Sequence, residues 1–188
     1  ITASVEEFLR AYEQDNFGED LIFNVRDGNI YYWDKSANVP VDPADDYGRA
    51  VTLSSLSTDN TTPTVAKKIM VSDRDRHVIA FGCDGETSIG TQDPLLIRFS
   101  DQEDPLEWQT LPSNTAGELR IGTGSKIVTA EETRQQILVF TDKSLHSMQY
   151  LGPPFTFGIN LISENITIAG PSAAVSVDDS VFWMGLNE

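Results

Sequence analysis

Short apolar runs recur along this chain, and each ends in polar turn residues. Leu21-Ile22-Phe23-Asn24-Val25 runs into Arg26-Asp27-Gly28-Asn29, after which Ile30-Tyr31-Tyr32-Trp33 returns. Asp-Gly between two such runs predicts a tight hairpin, with Gly28 accepting the positive φ of the turn. The pattern comes back at His77–Gly82, with Asp84-Gly85 marking a turn before Leu95–Phe99. It comes back again at Gln136–Phe140, where Thr141–Ser144 turns the chain into Leu145–Tyr150, and it opens once more at Ser180–Gly185. With Ile22, Ile79, Leu138 and Phe182 as equivalents, the spacings are 57, 59 and 44 residues. Propellers and related repeat folds lie in that range.

Each copy has room for four strands. In the second copy these are Ala66–Val71, the runs from Val78 and Leu95, and Glu118–Ile121. In the third they are Lys126–Ala130, the runs from Ile137 and Leu145, and Phe157–Ile162, and Ala173–Val177 opens the fourth. An unbroken apolar second strand fits burial on both faces between neighbouring sheets. The predicted fold is therefore all-β and β-propeller-like, with about three and a half four-stranded blades, an incomplete part of a larger propeller. The units are residues 5–58, 63–122, 124–168 and an incomplete 170–188. Val5, Phe8, Leu9 and Tyr12 have helical spacing, but the later copies place an inner strand there, so a strand is expected. Residues 34–63, rich in Asp, Pro, Ser and Thr, are predicted as a long surface loop with a short strand at Ala50–Leu53. The start at Ile1 and the apolar end suggest a piece of a longer protein. Open terminal blades expose strand edges, which predicts dimerisation or aggregation of the isolated chain.

Composition narrows the chemistry. The 188 residues are 39% hydrophobic and 22% charged, as expected of a globular protein. No apolar run approaches the roughly 18 residues of a membrane span, so no membrane insertion is expected. A net charge of −16, with 13 basic against 29 acidic residues, disfavours nucleic-acid wrapping and sequence-specific binding. The one cysteine, Cys83, excludes an internal disulfide and is predicted to be a packed thiol at a half-buried strand end.

There are two histidines. His77 is predicted as an exposed turn residue and His146 as a packed or hydrogen-bonded strand residue; neither adjoins a nucleophile pattern. One Cys and two His cannot build a typical structural zinc site. Asp42-Pro43-Ala44-Asp45-Asp46 and Asp73-Arg74-Asp75 do not fit a calcium loop. Ser100–Trp108 faintly resembles the Asp-box turn of sialidase propellers, with altered spacing and without the expected Gly. A sialidase needs three convergent arginines, for which Arg74, Arg76, Arg98, Arg120 and Arg134 are the candidates. Trp33, Trp108 and Trp183 read as blade packing, Gly28 and Gly85 as turn residues, and Pro153-Pro154 as fixing a loop. Asn60-Thr61-Thr62 and Asn165-Ile166-Thr167 match a glycosylation pattern that is common by chance. No catalytic, cofactor-binding or metal-binding residue is assigned, no cofactor is expected, and the protein is not expected to be an enzyme.

Several stretches carry a resemblance. They are Asp15–Ile22 with Gly28–Asp34, and Asp93–Asp101 with Asp104-Pro105 and Trp108. Asn114–Arg120, Thr141–Tyr150 and Gly152–Phe157 complete the set. Together they resemble the tail tubular protein B (nozzle) family of short-tailed bacteriophages, marine ones especially, over roughly residues 12–185. The resemblance implies a structural virion component of the phage tail whose propeller domains surround the channel that conducts DNA during ejection. It implies a hexameric full-length form with adaptor and tail-fibre subunits as partners. Family proteins are several times longer than this chain. The alternatives are a carbohydrate-binding or sialidase-like propeller and an unrelated protein-interaction propeller.

Overall fold

A computed structural model of the chain describes residues 10–36 and 48–186. The first sheet runs β1 (Tyr12–Phe17), β2 (Asp20–Val25), β3 (Ile30–Trp33) and β4 (Val51–Thr52), followed by one helical turn, α1 (Leu53–Leu56). The second runs β5 (Lys68–Val71), β6 (Val78–Phe81), β7 (Leu96–Phe99) and β8 (Gly117–Arg120). The third runs β9 (Ile127–Glu132), β10 (Ile137–Thr141), β11 (Ser144–Gly152) and β12 (Thr156–Glu164). A two-stranded ribbon, β13 (Ala174–Val177) and β14 (Ser180–Trp183), comes last. Within each sheet the strands lie in chain order and every neighbouring pair is antiparallel. The described part is thus an all-β succession of blade-like meanders.

Alternation along the second strands explains how the sheets stack. In β6, Val78 and Ala80 join Ile22, Ile30 and Ile69 in a core between the first and second sheets. Ile79 and Phe81 point the other way and join Ile97, Ile127 and Val139 between the second and third. In β10, Val139 faces the second sheet while Phe140, with Leu138 packed beside it, meets Leu145, Ile168 and Val181 on the ribbon side. Both faces of a sandwiched strand must be apolar, so the usual polar alternation disappears. Full burial of one such side chain contributes about 2–3 kcal/mol. The ribbon has no neighbour on its outer face among the described residues, and Phe182 there is 62% exposed.

Local chemistry differs from expectation in places. The first strand begins at Tyr12, later than expected; Val5–Leu9 lie outside the described residues. Its partner register, Phe17 opposite Asp20, leaves the two-residue turn Gly18-Glu19, with Gly18 at φ 69°. In the β2–β3 turn the positive φ falls on Asp27, at 56°, not on Gly28. Gly28 is needed for space: a Cβ there would stand 3.2 Å from Val25 O. Residues 34–63 are not all surface loop. Leu53 in α1 is fully buried, as is Thr62, and 37–47 lie outside the described residues. Pro153-Pro154 is a cis bond in the β11–β12 turn.

Candidate functional site

The first strand of each four-stranded sheet carries polar side chains, and these meet. Lys68 Nζ on β5 lies 3.2 Å from Glu131 Oε1 and 3.3 Å from Thr129 Oγ1, both on β9. It is also 3.8 Å from Glu13 Oε2 on β1. One ammonium therefore neutralises carboxylates from two other sheets, and its side chain is only 12% exposed. Desolvated charge is retained in such places when it is paired.

Toward the ends of these strands the carboxylates bind backbone. Asp15 Oδ2 on β1 accepts from Val71 N at 2.8 Å. The two oxygens of Glu132, at the end of β9, each accept from Asp73 N at 3.2 Å, beyond the end of β5. Burial pushes the Glu132 pKa up to about 7, and the nearby negative charges of Asp73 and Asp15 add to the rise while the Asp73 N–H opposes it. This carboxyl therefore exchanges a proton near neutrality. An open cleft of about 400 Å³ beside it is lined by Asp73, Arg74, Arg134 and Asp178. Among the described residues no group of three or more His, Cys, Asp or Glu side chains is placed to hold a metal ion.

The structure relocates several residues singled out from sequence. His77 is fully buried rather than exposed, its ring 5.1 Å from Phe157 and 5.8 Å from Tyr150. Those partners lie far along the chain, so local sequence gave no signal of the burial. His77 Nε2 is 3.1 Å from Thr115 Oγ1, whose hydroxyl donates to Asp101 Oδ1 and accepts from Gln102 N. The hydroxyl proton is thus committed to Asp101, and the network assigns the ring proton to Nε2. That polarity is wrong for drawing a proton off a nucleophile. Burial holds the His77 pKa down at about 4 against the opposing charge of Asp101. His146 is a packed strand residue bonded to Thr123 and Ser144 hydroxyls at 2.9 and 3.0 Å.

Cys83 is fully rather than half buried, and burial pushes its thiol pKa up. The five candidate arginines are engaged separately. Arg98 is buried under Trp108 and donates to Thr61 O and Trp108 O. Arg120 pairs with Asp93, Arg134 with Asp178 and Arg74 with Asp75, while Arg76 covers Phe17. Trp108 is core, but it sits in the β7–β8 connection. Trp183 departs from the packed expectation in being 42% exposed, although its ring lies 5.5 Å from Phe140. The acidic stretch Asp42–Asp46 lies outside the described residues.

No protein-family model matches the chain, and a search of curated proteins found no match either. No helix among the described residues is long and apolar enough to cross a membrane.

Proposed function

We propose that this chain is a wall segment of a bacteriophage tail conduit, a β-propeller-like module of a ring-forming, nozzle-type virion subunit. The reading rests on the sequence resemblance over residues 12–185. The structural observation that supports it is the meeting of β1, β5 and β9 around Lys68. First strands gathered on one side of a stack of meanders is the arrangement of propeller blades about an axis.

The electrostatics suit a conduit. The chain carries −16, and a negative surface repels phosphates, so DNA passes without sticking. Propeller modules in this role supply shape and subunit contacts, and the proposed part is structural rather than catalytic. Its partners are the adaptor and fibre subunits, and its place is the virion tail.

Antibodies raised against the protein test this on purified short-tailed phage particles whose genome encodes it. Gold label at the tail supports the reading. Label confined to the capsid, or intact virions that lack the chain, contradicts it.

A further inference from the structure

The β2–β3 turn and the start of β9 lie at the opposite end of the sheets from Glu132. An open cleft of about 520 Å³ is found there, lined by Arg26, Lys126, Val128, Ile168, Pro171 and Leu186, among others. Arg26 reaches across from the first sheet to the third: its Nη2 donates to Val128 O at 2.8 Å and its Nη1 to Lys67 O at 3.4 Å. Both acceptors are neutral carbonyls. Burial lowers the Arg26 pKa, so the guanidinium is partly desolvated.

A partly desolvated cation ordinarily has a counter-ion. Among the described residues Arg26 has none within ion-pair distance. The two acidic groups that act on it through space are committed elsewhere, Asp27 to Lys67 and Glu13 to Lys68. Lys126 is exposed, and its ammonium makes no ion pair or hydrogen bond among the described residues. Asp142, the carboxylate of the cleft, is already taken by Ser125 N at 2.7 Å and by Ser125 Oγ and Lys126 N. In a chain with 29 acidic and 13 basic residues, a cleft with more cations than carboxylates is against the run of the surface.

We propose that this cleft binds an acidic residue flanked by apolar side chains, presented by an extended segment of a partner protein. Arg26 and Lys126 hold the carboxylate, since a guanidinium keeps free N–H donors suited to paired carboxylate oxygens. Leu186, 64% exposed, receives the apolar flank, beside the small edges that buried Val128 and Ile168 show to the cleft. The site stands apart from the tail-conduit reading and does not depend on it.

Hexanoate is a minimal probe carrying both features, with hexanol and inorganic phosphate as controls. It is titrated into ¹⁵N-labelled protein while the amides of Val128, Ala169 and Gly170 are followed. Glu188, two residues past Leu186, lies outside the described residues, so Glu188→Gln is titrated alongside. Saturable shifts with hexanoate in both proteins are expected. Binding is expected to be roughly fivefold weaker in Lys126→Gln and lost in Arg26→Gln. The Lys126 variant carries the test if loss of Arg26 disturbs the fold, because Lys126 supports no other side chain. Equal shifts with hexanol, equal affinity in Lys126→Gln, a response to phosphate alone, or no shift at all would each overturn the proposal.

Discussion

Asn24 and Ile69 are joined across two sheets: Asn24 Oδ1 accepts from Ile69 N at 3.0 Å, while Asn24 Nδ2 donates to Ala66 O at 2.9 Å. The carboxamide thus pairs with β5 and the residues leading into it much as a strand would, from a fully buried position on β2. Its loss takes the Asn24 acceptor from the Ile69 N–H, whereas Ala66 O keeps a second donor, Asp27 N at 2.9 Å. Asn24→Ala is expected to cost about 1–3 kcal/mol. Urea unfolding measures it, and a loss near zero would show that the two sheets do not depend on this contact.

His77 makes folding depend on acid. Its folded pKa, about 4, lies below the ordinary 6.5, so between these values the unfolded chain takes up a proton that the folded chain refuses. Stability from this residue is complete above pH 6.5 and falls as pH drops to 4. The loss is about 3 kcal/mol. Unfolding curves across that window should be flatter for His77→Phe, which keeps the aromatic packing, than for the unaltered protein. Parallel curves would contradict the assignment.

Glu132 acts with the opposite sign. Its folded pKa, about 7, lies above the ordinary 4.5, so the folded chain holds a proton that the unfolded chain has released. Its contribution is full below pH 4.5 and is lost as pH rises to 7. His77 acts the other way over much of this range, so the comparison is one of slopes: from pH 4.5 to 7 the melting temperature of Glu132→Gln should rise relative to that of the unaltered protein. A melting temperature of the variant that drops relative to the unaltered protein over this range would contradict the raised Glu132 pKa.

Cys83 offers an unfolding clock. The thiol is fully buried and its pKa is raised, so little thiolate is exposed to reagent in the folded state. A thiol-specific dye should label it only in step with unfolding in urea. Rapid labelling in buffer would show an opening that reaches the core between the first two sheets.

Strand order was readable because sandwiched strands leave a strong trace: four consecutive buried apolar residues in β6 and the similar run in β10. The first strand left none. Tyr12-Glu13-Gln14-Asp15-Asn16-Phe17 is polar in the middle because Glu13 and Asp15 meet Lys68 and Val71 N, partners more than 50 residues away. His77 was misplaced for the same reason, since Tyr150 and Phe157 bury it from the third sheet. The Asp27-Gly28 turn was legible in position but not in mechanism: Asp27 adopts the positive φ and Gly28 clears Val25. The gathering of Glu13, Lys68 and Glu131 arises only when three sheets stack, so no local pattern announces it.

The proposed tail-conduit role is open to electron microscopy of the protein expressed from its complete coding sequence and mixed with the adaptor ring of a short-tailed phage. Sixfold rings with an open central channel, stacked on the adaptor, are the expected result. Discrete single particles that ignore the adaptor would contradict it.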